Sequence, residues 1–166
     1  KGENVRGTGG RRGMGRAWAR ACPAEGGRGG LVGRRRANLH AAMAQLKGQG
    51  HVTAGNETDL IDAKAALDVV NAAWNQTGPI DVLVNCAGAA VRTPFDELAP
   101  QAWQAAMQAK FFTYINVMDP LIKRMGERGA GAIVNVVGMG GKIATPTHLP
   151  GGSANAALML ASAGLA

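Results

Sequence analysis

The chain has 166 residues, 46% of them apolar and only 4% aromatic, with a formal net charge of +7. That length suits one domain, residues 1–166, with a buried core. No run of 18 or more apolar residues is present, which excludes a membrane-spanning helix. The charge is unevenly placed: ten basic residues in 1–36 face only Glu3 and Glu25, giving that block +8 and the remainder −1. Such a block suits either nucleic acid or a phosphorylated cofactor, and the cofactor is favoured because these arginines flank the turns described next. No charged-then-apolar leader opens the chain, so it reads as cytoplasmic, with Cys22 and Cys86 as free thiols. No metal site is expected.

Strands and helices alternate, which predicts an α/β fold around a parallel sheet. A first strand over 3–8 runs into Thr8-Gly9-Gly10-Arg11-Arg12-Gly13-Met14-Gly15, spelling T-G-x-x-x-G-x-G before a helix over 14–24. Gly9 suits a tight turn, and Gly13 and Gly15 let the backbone approach a pyrophosphate at a helix N-terminus. A second strand, 28–33, precedes a helix over 37–47 in which Leu39, Ala42, Met43 and Leu46 recur at helical spacing. A third strand spans 51–56, and a helix over 60–75 is closed by Gly78-Pro79. The fourth strand is 80–85. A long helix over 100–125 is expected to be kinked or interrupted near Pro120. The fifth strand is 132–137, and the Ala-rich stretch 151–166 reads as a helix.

Two strands fit poorly. A central parallel strand should be nearly all apolar, yet the first is Glu3-Asn4-Val5-Arg6-Gly7 and the second contains Gly29-Gly30. Arg6 must therefore reach solvent or a ligand, or the fold loses stability.

Further motifs make the chain resemble the short-chain dehydrogenase/reductase family. Asp81-Val82-Leu83-Val84-Asn85-Cys86-Ala87-Gly88 is similar to that family's fourth strand and N-N-A-G motif, with Cys86 replacing the second Asn. Gly131-Ala132-Ile133-Val134-Asn135-Val136-Val137 resembles its fifth strand. The resemblance implies a Rossmann-type doubly wound parallel sheet, truncated after the fifth strand and the following helix. It also implies a nicotinamide cofactor, with Gly9, Gly13, Met14 and Gly15 around the pyrophosphate and Arg12 at a position often basic in NADP-using relatives. Asp59 and Leu60 would flank the adenine, and Asp59 also reads as the N-cap of the next helix. Asn85, Ala87 and Gly88 would line the adenosine ribose. The second strand ends in Gly33-Arg34-Arg35-Arg36 without a carboxylate, so Arg34 and Arg35 suit a 2′-phosphate and favour NADP(H) over NAD(H).

The family's chemistry needs an Asn, a Ser, a Tyr and a Lys. By spacing, those positions fall on Lys110, Gly138, Gly151 and Asn155, so all four are substituted. Tyr114, the sole tyrosine, reads as a packing residue. Candidate substitutes for the lost acid/base are His148, whose ordinary pKa lies near neutrality, and Lys142, with Lys110 and Ser153 nearby.

The resemblance thus implies an oxidoreductase acting on a small-molecule carbonyl or alcohol, with altered or lost acid/base machinery. The alternatives are a non-catalytic scaffold subunit paired with an active relative, or nucleic-acid binding through the arginine block. A homo-oligomer is expected through the helix bearing Trp103 and the one after Gly151, where Ala154, Ala156, Ala157 and Ala161 permit close approach. Relatives continue with two more strands, so the chain looks like an N-terminal portion, a fragment or a degraded gene product without activity.

Overall fold

The computed structural model describes residues 3–9, 28–47, 53–89 and 91–166. The helix expected over 14–24 lies outside these residues, as do Arg12, Gly13, Met14, Gly15 and Cys22. Five parallel strands are described: β1 (Asn4–Thr8), β2 (Arg28–Gly33), β3 (Thr53–Glu57), β4 (Val82–Asn85) and β5 (Ala132–Asn135). They lie in the order β3-β2-β1-β4-β5, so the chain reverses its direction of travel across the sheet between β3 and β4. Helices α1 (Arg36–Lys47), α2 (Ala63–Thr77), α3 (Pro100–Ala106), α4 (Thr113–Arg128) and α5 (Leu149–Gly164) connect or follow them.

Strand alternation sends neighbouring residues to opposite faces. Leu31 faces Leu39, Ala42 and Met43 of α1 on one side. Val32 and Leu83 face the larger core on the other, built from α2, α4 and Leu158 of α5. The fold is therefore doubly wound. Ala66, Val69, Val70 and Ala73 give α2 one apolar stripe, and Tyr114, Val117, Met118, Leu121 and Met125 do the same for α4. Among the described residues, no helix is long and apolar enough to cross a membrane.

Three expectations need correction. The long helix does not break at Pro120: α4 runs through it to Arg128 and ends on Gly129 at φ 66°. The core contacts of Val117, Leu121 and Met125 offset the missing N–H there. The irregularity lies earlier, in a π-turn over Met107–Phe112. Second, the N-cap of α2 is Asp62, whose Oδ1 accepts from Ala65 N at 3.0 Å. Asp59 instead sits in the turn before it and accepts from Ile61 N at 3.2 Å.

The third concerns Arg6, which reaches neither solvent nor the cleft described below: it is 4% exposed. Its register partner on β2 is Gly30, and a Cβ at Gly30 would overlap Arg6 Nη1 and lie 2.5 Å from Cζ. The glycine that weakens β2 is the space that holds the guanidinium. Arg6 Nη2 donates to Thr77 Oγ1 at 2.5 Å. Asn4 Nδ2 is likewise satisfied, by Thr77 Oγ1 at 3.0 Å and by the carbonyls of Gly78 and Pro79 at 3.1 and 2.9 Å. Polar residues in β1 are thus absorbed by the C-terminal end of α2.

Candidate functional site

A cleft of about 430 Å³ opens at the carboxyl ends of β1 to β4, the place where open α/β sheets hold ligands. Gly9, Arg34, Arg35, Asp59, Leu60, Ala87 and Gly88 line it, so seven of the cofactor positions expected from sequence converge there. Gly9 has φ 72°, and a Cβ on it would lie 2.7 Å from Cys86 O. Its N–H donates to Val32 O at 3.1 Å. Gly88 has φ 92°, and a Cβ there would overlap the carbonyl oxygen of Ala109. The π-turn brings that carbonyl forward, and Thr113 Oγ1 donates to Ala109 O and Lys110 O at 3.2 and 3.0 Å. Both glycines are required by conformation and by close approach.

Asn85 does not line the cleft. It is fully buried and belongs to a hydrogen-bonded ladder across the sheet. Thr8 Oγ1 accepts from Cys86 N and Ala87 N, each at 3.1 Å, and donates to Asn85 Oδ1 at 3.3 Å. Asn85 Nδ2 donates to Asn135 Oδ1 at 3.0 Å, and Asn135 Nδ2 to Ser162 Oγ at 2.8 Å. The ladder ties the turn that carries Ala87 and Gly88 to β1, β5 and α5.

Of the four positions that the resemblance assigns to catalysis, Gly138, Gly151 and Asn155 are joined by hydrogen bonds, and Lys110 bonds the carbonyl of Val136. Gly138 N donates to Asn155 Oδ1 at 2.9 Å, and Asn155 Nδ2 donates to Gly151 O at 2.8 Å. Asn155 therefore latches the loop after β5 onto the first turns of α5. A Cβ on Gly152 would lie 2.7 Å from Gly140 O, so the contact is backbone on backbone. Lys110 Nζ donates to Val136 O at 3.0 Å and to Tyr114 Oη at 2.6 Å, while Tyr114 Oη donates to Val136 O at 2.8 Å. Tyr114 is wholly buried, as expected of a packing residue. His148 precedes α5 with its Nδ1 buried and without a hydrogen-bond partner among the described residues. Lys142 is exposed. Neither enters the hydrogen-bonded cluster.

Burial pulls the Lys110 ammonium down from 10.5 to about 8, with the nearby Cys86 thiolate partly offsetting it. Burial raises the Tyr114 phenol and the Cys86 thiol. Below about pH 8 the folded state carries the cost of a half-buried charge; above it, the folded state releases the proton before the unfolded one does. Stability supplied through Lys110 therefore rises with pH towards 10.5. Thermal melts should show the stability of the native chain growing relative to Lys110→Met by about 1 kcal/mol between roughly pH 8 and 10, the full shift being reduced by solvent screening. A pH-independent difference would contradict the assignment.

Sequence reasoning gave no role to the Thr8 ladder, to the Lys110–Tyr114–Val136 contact or to Asn116, which donates to Leu60 O and Ile61 O. The i, i+4 spacing of Lys110 and Tyr114 was a usable signal; the carbonyl they share was not.

Comparison with known proteins agrees with this geometry. The family model described as short chain dehydrogenase matches residues 4–166. Gluconate 5-dehydrogenase from Gluconobacter oxydans is 30% identical over 143 residues, which are 86% of this chain and 56% of that protein. An actinorhodin polyketide ketoreductase variant solved with NADPH superposes with a TM-score of 0.94 at 28% identity, covering 99% of this chain and 64% of its own. An NADPH-bound short chain oxidoreductase from Pseudomonas aeruginosa, containing an atypical catalytic center, superposes with a TM-score of 0.90 at 25% identity, covering 96% and 63%. The chain spans little more than half the length of the enzyme relative and about two thirds of these structures. With a family match over nearly every residue, the chain belongs to the short chain dehydrogenase family.

Proposed function

We propose that residues 1–166 form a single NADP(H)-binding domain of an oxidoreductase that handles a small-molecule carbonyl or alcohol with altered acid/base machinery. The observation that carries the reading is the contrast between two halves of one site. The cleft keeps its required glycines and presents Arg34 and Arg35 beside the end of β2, with no carboxylate in Gly33-Arg34-Arg35-Arg36. The catalytic positions instead hold a latch of Gly138, Asn155 and Gly151 that has no proton to give at neutral pH.

Guanidinium groups suit a 2′-phosphate because their planar donors engage it bidentately. Asp59 and Leu60 would flank the adenine, Ala87 and Gly88 the ribose, and Gly13, Met14 and Gly15 the pyrophosphate, with Arg12 adding to the preference for NADP(H). Asn85 would act from behind, by fixing the turn that holds Ala87 and Gly88. His148 and Lys142 remain the candidates for any residual proton donation. Two NADPH-bound proteins among the similar structures support a nicotinamide cofactor.

The test is calorimetric titration of the double variant Arg34→Ala/Arg35→Ala. NADPH affinity should fall about tenfold or more while NADH affinity stays within about twofold. Equal losses for both cofactors would reject the 2′-phosphate role.

A second reading, a scaffold subunit pairing with a relative or with a second copy, draws on the exposed Trp103, Phe112 and Leu160 of α3, the π-turn and α5. Ala154 takes no part in that face because it is buried against the chain's own core. Sedimentation at micromolar concentration, with and without a relative present, tests it, and a monomer in both would end it.

A further inference from the structure

Asn116 lies on α4, away from every position discussed as catalytic, yet its side chain reaches the cleft wall. Its Nδ2 donates to Leu60 O at 2.9 Å and to Ile61 O at 3.1 Å. The amide has one sensible orientation, because turning it over would set its oxygen against two carbonyl oxygens. Both carbonyls belong to the turn between β3 and α2, and Asp59, Leu60 and Ile61 of that turn all line the cleft. Ala109 and Thr113, earlier on the same helical path, line it as well. One side of the helix therefore contributes part of the wall directly and holds another part through Asn116.

The Leu60 side chain anchors the turn in the main core, but among the described residues few other hydrogen bonds hold its backbone. Thr58 N donates to Gly33 O at 3.1 Å where the turn begins, and Asp62 N donates to Asp59 O at 3.3 Å where it ends. Between them the Asp59 carboxylate accepts from Ile61 N at 3.2 Å, a local and exposed contact. Asn116 crosses 56 and 55 residues of sequence to bond Leu60 and Ile61. A backbone turn fixed at both ends and from behind meets a planar ring without further ordering, and that ordering is a cost which otherwise weakens binding.

We infer that Asn116 is a positioning residue for the adenine end of the cofactor, holding the Leu60 and Ile61 carbonyls against α4 so that Asp59, Leu60 and Ile61 form one fixed wall. This rests on the cofactor reading above. The residue touches no ligand itself; it acts through the turn.

The experiment titrates 2′,5′-ADP into the native chain, Asn116→Leu and Asn116→Asp by calorimetry, at about pH 8 and about pH 5.5. Asn116→Leu should weaken binding about tenfold at both pH values, since two carbonyls lose their donor. Asn116→Asp should weaken it similarly at the higher pH and recover towards the native chain at the lower, because the two facing carbonyl oxygens raise its carboxyl and the neutral form donates one hydrogen. A merely structural role would not produce that recovery. Native binding with both variants within about twofold of it at each pH would overturn the inference and leave the cofactor reading standing. No binding by the folded native chain would overturn both.

Should the variants not fold, the native chain decides. The Asn116 side-chain amide protons should shift and exchange more slowly on saturation with 2′,5′-ADP. Unchanged signals at saturation would overturn the inference.

Discussion

Gly30→Ala is expected to destabilise the fold by about 3 kcal/mol, measured by urea unfolding. The new methyl would occupy the position of Arg6 Nη1, and Arg6 is only 4% exposed, so its guanidinium has no open path aside. Displacing it breaks the bond to Thr77 Oγ1 and disturbs a buried charge. The pair is coupled, so Arg6→Val/Gly30→Ala should recover most of the loss, with an interaction energy of about 2 kcal/mol in the double-variant cycle. An apolar pair is in any case the ordinary occupant of a central parallel strand. Additive effects of the two substitutions would show that Gly30 is not a hole made for Arg6.

The second large effect concerns chemistry. Lys110→Asn/Gly138→Ser/Gly151→Tyr/Asn155→Lys, which places the expected residue types at all four positions, should raise NADPH-dependent reduction of a reactive dicarbonyl by about 10²–10⁴ over the native chain. Single replacements should give little. Asn155 bonds both Gly138 N and Gly151 O, so a side chain at 138 alone would press its Cβ to 3.1 Å from Asn155 Nδ2. Groups that act as a unit are strongly non-additive. Because native and variant chains have the same length, any contribution from the further residues of longer relatives cancels. A folded, NADPH-binding fourfold variant no faster than the native chain would place the deficit elsewhere.

Much of this was legible in the sequence, for physical reasons that can be named. Glycines at positions 9 and 88 stand where the backbone turns with positive φ against a neighbouring carbonyl, a demand no other residue meets cheaply. The stripe of Leu39, Ala42 and Met43 announced the buried face of α1 by period alone. The substitution at position 151 was visible because a glycine leaves no side chain to assign.

What was hidden depends on register and on backbone carbonyls. Arg6 looked like a defect because its compensation, Gly30, becomes a neighbour only once β1 pairs with β2. Asn85 reads as a ligand residue from its motif, but its side chain faces inward along the strand and serves the ladder. Pro120 carried a strong local signal that the core contacts of α4 overrode, whereas the π-turn has no proline or glycine to mark it. Asn116 bonds two carbonyls far away in sequence, and a main-chain acceptor leaves no trace in side-chain identity.

The most direct test of the central claim is calorimetric titration of the native chain with NADPH and, separately, NADH, on a sample whose circular dichroism shows it folded. The account predicts that NADPH binds, and binds about tenfold or more tightly than NADH. A folded chain that binds neither cofactor, or that prefers NADH, would contradict it.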